Sequence, residues 1–262
     1  MIDIIYQESS ETMSAIEDSS VDLVVTSPPY NIDIKYGNRT SHGKSIESKA
    51  IKYSDKLPEA EYRALLSKVF SECQRILKPS GSIWVNIKNR FDGKRIITPF
   101  WLEDFFKEMF LKNLVIWNFD WGGATNSRFA PRYEYVFWYT KNCSNYKFNL
   151  DPVKIPALNY RPDRYKSQLK NPSDVWKIPM ISGNFIERTG HPAQYPEKLI
   201  ERIVSACTAP GDIVVDPFMG SGTTAVVAKK LGRHYIGYEI IKEYIDMANT
   251  RLAKIGKKYD KE

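Results

Sequence analysis

The stretch from Gly211 to Glu239 limits the choice of fold more than any other. It reads Gly-Asp-Ile-Val-Val-Asp-Pro-Phe-Met-Gly-Ser-Gly-Thr-Thr over 211 to 224 and Tyr-Ile-Gly-Tyr-Glu over 235 to 239. Ile213 to Val215 is short, apolar and β-branched, the pattern of a strand buried on both faces. Gly220-Ser221-Gly222 is a tight turn, where glycine permits positive φ and lets a ligand approach the backbone. Thr224 to Leu231 is a helix ended by Gly232, and Tyr235 to Glu239 is the next strand. Strands alternating with helices in this way belong to a mostly parallel sheet.

Near the other end, Val21-Asp22-Leu23-Val24-Val25 is a second buried strand. Thr26-Ser27-Pro28-Pro29-Tyr30-Asn31 ends it, because neither proline can donate to a ladder. Ligands of open α/β sheets sit just beyond the carboxyl ends of strands. A hydroxyl and free carbonyls there can accept hydrogen bonds from an amino group, and Tyr30 can stack on a flat ring. A planar ring with an exocyclic amine is a nucleobase. Without further support, the same residues would be only a strand-terminating turn.

The rest of the chain supplies more elements. Residues 2 to 6 are a first strand, and Met13 and Ile16 suggest a helix after it. Residues 33 to 56 form a long polar stretch that includes Lys35 and Arg39. Such stretches either serve a function or are plain solvated loops. Pro58 to Leu77 is an amphipathic helix and Ser82 to Ile87 a strand. Pro99 to Phe110 reads as a helix with an aromatic face. Leu114 to Phe119 and Tyr135 to Tyr139 read as strands.

From Lys141 to about Ile186, prolines at 152, 156, 162, 172 and 179 break regular structure. Lys147, Lys154, Arg161, Arg164, Lys166, Lys170 and Trp176 lie among them. Such groups bind phosphate, stack or read guanine edges. An irregular surface insertion is the plainer alternative. Pro196 opens a further helix with Leu199, Ile200, Ile203, Val204 and Cys207 on its apolar face.

Ser27-Pro28-Pro29-Tyr30 resembles the catalytic motif of DNA amino-methyltransferases, which methylate cytosine N4 or adenine N6 with S-adenosylmethionine. Asp216-Pro217-Phe218-x-Gly220-Ser221-Gly222-Thr223 resembles their cofactor motif. His191-Pro192-x-Gln194-x-Pro196 matches a third pattern, near the methionine end of the cofactor. The order, catalytic then recognition then cofactor, resembles the β group of these restriction-modification enzymes.

The resemblance implies a doubly wound, mostly parallel seven-stranded sheet with an antiparallel strand near one edge. It divides the chain into a catalytic half (1–140), a target-recognition insertion (141–186) and a cofactor half (187–262). Ser27, Pro28, Pro29 and Tyr30 would be catalytic. Glu8, His191, Asp216, Pro217, Phe218, Gly220, Ser221, Gly222, Thr223 and Glu239 would hold S-adenosylmethionine. Glu8 stands where the family commonly has Gly-Asp. Asp216 would face the sulfonium and ammonium, and Glu239 the ribose hydroxyls. Asn31, Lys35, Arg39, Arg161, Arg164 and Lys166 would contact double-stranded DNA. Ser27 in the first motif position is associated with cytosine N4, ahead of adenine N6. Many relatives dimerise, so a homodimer is compatible with the resemblance.

Composition agrees with a polyanionic partner. The formal net charge is +7, and neutralising phosphates supplies sequence-independent affinity. Three scattered cysteines and three scattered histidines form no metal or disulfide pattern. No stretch is apolar enough to span a membrane, and a reducing cytoplasm is the expected setting.

Competing readings remain. Gly220-x-Gly222-x-x-Ala225 followed by Glu239 also fits a dinucleotide fingerprint, hence a nucleotide-binding oxidoreductase. Asp216 would repel a pyrophosphate, and Ser27 to Tyr30 would have no role there. A methyltransferase acting on RNA or protein glutamine usually has the two motifs in the reverse order. A catalytically silent DNA-binding protein would have no need of the full set of catalytic groups.

Overall fold

The computed structural model describes residues 1–34, 55–122, 126–157, 167–183 and 185–255. Eight strands form one sheet: β1 (Ile4–Tyr6), β2 (Val21–Thr26), β3 (Leu77–Ile87), β4 (Phe110–Asn118), β5 (Tyr133–Thr140), β6 (Val175–Lys177), β7 (Ile213–Asp216) and β8 (His234–Tyr238). Their order is β1-β8-β7-β2-β3-β5-β4-β6. Every pairing is parallel except those of β5, which runs against both β3 and β4.

Four helices cover the sheet: α1 (Glu59–Ile76), α2 (Glu197–Cys207), α3 (Thr223–Lys230) and α4 (Lys242–Leu252). Side chains alternate across the strands and so build two cores. Leu23, Val25, Trp84, Trp138 and Val214 pack with α2 and α3 on one face. Val24, Ile83, Val85, Phe137 and Val215 pack with α1 on the other. The result is a three-layer doubly wound domain, as the alternation of strands and helices predicts.

Several expectations need correction. The sheet has eight strands, not seven. The extra one, β6, comes from the proline-rich insertion and pairs with β4. Its Trp176 is buried and stacks on Trp84 at 6.0 Å, so that ring belongs to the core and not to a base-stacking surface. The segment with Met13 and Ile16 is a series of turns. Arg75 of α1 donates to the carbonyls of Met13 and Ile16, and Glu72 accepts from the Met13 N–H, so side chains replace helical bonds. The helix expected over 99 to 110 is a 3₁₀ helix over Pro99–Phe105 only, since β4 begins at Phe110. Lys154 pairs with Asp151.

Lys147 is not available for phosphate. It bridges Asp22 and Asp212 at 2.8 and 2.7 Å. Asp22 is buried at the amino end of β2, where it also accepts from Lys78 (2.8 Å) and the Ile213 N–H (3.1 Å). Burial pushes its carboxyl pKa up, but Lys147 and Lys78 outweigh that and hold it below the usual 3.8. One carboxylate thus ties β2, β3 and β7 together at the end of the sheet away from the ligand side.

Asp22→Ala should destabilise the protein by about 2 kcal/mol in urea denaturation at pH 7. The cost falls short of a fully buried pair because both lysines can regain water. A depressed folded pKa stabilises above the unfolded value and ceases to do so as pH falls through the folded one. The gap between wild type and variant should therefore shrink below about pH 4.

Candidate active site

The two half-sites meet where β2 and β7 lie side by side. Val214 pairs with Leu23 and Val215 with Val24. Their carboxyl ends are joined by Thr26 Oγ1 donating to Asp216 Oδ1 at 2.8 Å. A cavity of about 590 Å³ opens above them. This lies within the ~300–1,000 Å³ range of small-molecule sites. Ser27, Pro28, Pro29 and Tyr30 line one wall; Glu8, His191, Pro217, Phe218, Gly220, Ser221, Thr223 and Glu239 line the rest.

Asp216 itself does not face the cavity and is fully buried. Besides Thr26 it accepts from Tyr195 Oη (2.8 Å), Thr224 Oγ1 (2.7 Å) and the Phe218 N–H (3.0 Å). The expectation that it meets a cationic ligand is corrected: protein donors surround both of its oxygens. Burial raises its pKa, and the donors oppose that shift. Gly222 is likewise structural. It caps α3 with φ +79°, and a Cβ there would come within 2.5 Å of Ala248 Cβ.

Glu239 lines the cavity as expected, at the end of β8. One oxygen accepts from the Gly220 N–H (2.9 Å) and the other from the Ile241 N–H (2.8 Å). A carboxylate has about four acceptor positions, so lone pairs remain for hydroxyls of a ligand. Burial raises its pKa to about 7, with backbone donors opposing. His191 packs edge-on against Tyr244 at 4.3 Å, and its Nδ1 accepts from the Ala193 N–H. Burial first, and Arg251 second, push its pKa down to about 3, so the imidazole is neutral. A Cβ on Gly220 would meet that ring at 3.0 Å, which is why the turn needs glycine there. Arg251 of α4 fastens the turn from behind. It donates to the Ser221 carbonyl and Thr223 Oγ1 at 2.9 Å each, and to Glu197 at 2.8 Å.

The other wall carries a polar cluster. Ser27 Oγ lies 2.8 Å from Tyr30 Oη. Tyr30 Oη donates to Glu134 Oε2 at 2.8 Å. Asn86 Nδ2 donates to Tyr30 Oη and to Glu134 Oε2, both at 2.7 Å. Lys88 Nζ lies 5.2 Å from the Tyr30 ring centroid. Because β5 is antiparallel, its start, with Glu134, lies beside the end of β3, with Asn86. Sequence reasoning assigned no role to Asn86 or Glu134. The signal was present: each is a polar residue interrupting an apolar strand, Ser-Ile-Trp-Val-Asn-Ile and Tyr-Glu-Tyr-Val-Phe-Trp. Tyr195, Thr224 and Arg251 were also missed.

Asn31 proves to be a latch. Its amide donates to the Leu57 carbonyl (2.9 Å) and accepts from the Leu57 N–H (2.6 Å). Buried Asp55 accepts the N–H groups of Asn31, Ile32 and Ile34 at 2.8, 3.1 and 3.0 Å. The amide expected to meet DNA thus holds the chain together. Lys35, Arg39, Arg161, Arg164 and Lys166 lie outside the described residues. Among the described residues no helix is long and apolar enough to cross a membrane.

Comparison with known proteins adds independent findings. A family model described as DNA methylase matches residues 21–250. The Type II methyltransferase M.BglII of Bacillus subtilis is 41% identical over 252 residues, which cover 91% of this chain and 65% of that relative. The chain thus spans just under two thirds of that protein. The DNA adenine methyltransferase YhdJ of Escherichia coli (strain K12) is 34% identical over 261 residues, 95% of this chain and 82% of the relative. Among solved structures, the cytosine-N4-specific PvuII DNA methyltransferase shares the fold with TM-score 0.71 at 21% identity, covering 96% of this chain and 86% of that one.

A raised carboxyl pKa makes the folded state hold more protons than the unfolded chain between about pH 4.5 and 7. Stability therefore falls as pH rises through that window. Glu239→Gln should remove this slope; thermal melts of both proteins from pH 4.5 to 8 without ligand would measure it.

Proposed function

This chain belongs to the DNA methylase family, whose members methylate exocyclic amines at N4 or N6, and from that premise we propose that it transfers a methyl group from S-adenosylmethionine to cytosine N4 in DNA. One observation carries the reading: Ser27, Pro28 and Tyr30 share a cavity with Glu8, Gly220 and Glu239. The catalytic motif and the cofactor motif are far apart in sequence and open onto one space.

The residues suit the cofactor. When bound, S-adenosylmethionine supplies a methyl group activated by a sulfonium. Glu239 offers its remaining lone pairs to the ribose hydroxyls. Phe218 and Ile240 give apolar walls, and Glu8 adds an acceptor beyond β1. His191, held neutral, puts no positive charge beside a sulfonium. Gly220 allows close approach to the backbone of the turn.

A base must leave the duplex to enter this cavity. Its amine is a weak nucleophile because the lone pair is delocalised into the ring. Ser27 Oγ and the Pro28 carbonyl would accept its two N–H bonds and draw the nitrogen toward tetrahedral geometry. The prolines fix these acceptors in advance, so little reorganisation accompanies the reaction. Holding the amine in line with the methyl carbon supplies much of the acceleration. The net charge of +7 favours duplex DNA as the partner.

Cytosine N4 rests on Ser27 standing first in the motif. Adenine N6 is the second reading, favoured by the likeness to the adenine methyltransferase YhdJ.

The test is to incubate the protein with S-adenosylmethionine and unmethylated DNA, digest to nucleosides, and analyse by mass spectrometry. N4-methylcytosine is expected. N6-methyladenine would replace the assignment of the base and leave the site intact. Neither product, with S-adenosylmethionine still bound, would move the substrate to RNA or protein. Ser27→Ala should slow transfer about 100-fold and leave cofactor affinity unchanged.

A further inference from the structure

We propose that Glu134 is a positioning residue that turns Ser27 into a proton acceptor and takes up the proton the target amine must lose. This rests on the reading of the site given above. Glu134 is a buried carboxylate, 9% exposed. Two donors hold it, Tyr30 Oη at 2.8 Å and Asn86 Nδ2 at 2.7 Å. Its register partner on β4 is the uncharged Trp117, and Lys88 lies over the Tyr30 ring.

An ionised carboxylate only accepts. Tyr30 must therefore give its O–H to Glu134. The Asn86 amide is oriented by the same charge, since the opposite orientation would set two acceptor oxygens 2.7 Å apart. Its two N–H bonds then point at Glu134 and at Tyr30 Oη, both at 2.7 Å. Tyr30 Oη has donated its only proton, so at 2.8 Å from Ser27 Oγ it can only accept. The Ser27 proton is thereby committed to Tyr30. What Ser27 offers the cavity is a lone pair.

The same chain gives the amine's proton a route. As the amine nitrogen bonds to the methyl carbon, the carbon–sulfur bond breaks and its electron pair stays on sulfur. The nitrogen then carries a positive charge and must shed one proton. That proton passes to Ser27 Oγ, the Ser27 proton to Tyr30 Oη, and the Tyr30 proton to Glu134 Oε2. The methylated amine leaves neutral and Glu134 is left as the acid. The negative charge absent from Ser27 itself is thus supplied two hydrogen bonds away. Without Glu134, Ser27 would be free to donate to a ring nitrogen of the base instead.

The test uses Glu134→Gln and Tyr30→Phe in the full chain. Single-turnover methylation should fall about 100-fold in each. Affinity for S-adenosylmethionine by calorimetry should stay within threefold. The rate of Glu134→Gln should climb with pH over a range where wild type is flat, because hydroxide then replaces the missing acceptor. A rate within threefold of wild type would overturn the proposal. So would a loss of rate with a wild-type pH profile, which would leave Glu134 a purely structural part. If Glu134→Gln does not fold, Tyr30→Phe decides by the same two readouts. Infrared spectroscopy of the protein alone separates this proposal from the functional reading. Tyr30→Phe removes an O–H donor and should shift the Glu134 carboxylate stretch. An unshifted band would sink the chain of hydrogen bonds whatever the substrate proves to be. Wild-type protein that methylates no DNA yet shows the shift would indict the functional reading alone.

Discussion

The active-site end of the sheet is organised around one carboxylate from which water is excluded. Asp216 gathers Thr26 from β2, Tyr195 from the segment before α2, Thr224 from α3, and the Phe218 N–H from its own turn. A buried charge is tolerable only when donors surround it. Each donor here belongs to a different piece of chain, so satisfying one charge fixes four pieces relative to one another. Thr26 stands 190 positions from Asp216 and directly precedes Ser27. The geometry between the two motifs is set by this contact more than by anything either motif would do to a ligand.

A second buried carboxylate does similar work at the opposite end. Asp22 joins β2, β3 and β7 through two lysines and the Ile213 N–H. Between these two ends the strands are apolar on both faces and pack into separate cores. The central strands are thus clamped by electrostatics at their ends and by burial along their length. This rigidity suits a site whose acceptors must already point correctly when a substrate arrives.

Much of this was legible in the chain. The strand–turn–helix–strand unit at 211–239 and the strand ending at Thr26 dictated a parallel sheet, and the two motifs located its ligand side. What could not be read was which polar groups face the cavity and which face each other. Asp216 and Glu239 both end strands with an acid, yet one is enclosed and the other lines the cavity. The difference lies in Tyr195 and Thr224, which reach Asp216 from elsewhere in the chain. Asn86 and Glu134 become neighbours only because β5 runs antiparallel, a pairing that neither strand's pattern reveals. Lys147 resembled a phosphate ligand until its partners, Asp22 and Asp212, were known.

The latch formed by Asn31, Asp55 and Leu57 has an architectural consequence. It holds residues 31 to 34 against residues 55 to 57 through six hydrogen bonds. The end-to-end distance of whatever chain lies between is therefore set by the latch and not by that chain. Tyr30 is thereby anchored on both sides, by β2 before it and by Asp55 and Leu57 after it, so a pull arriving from beyond residue 34 is met by the latch before it reaches Ser27.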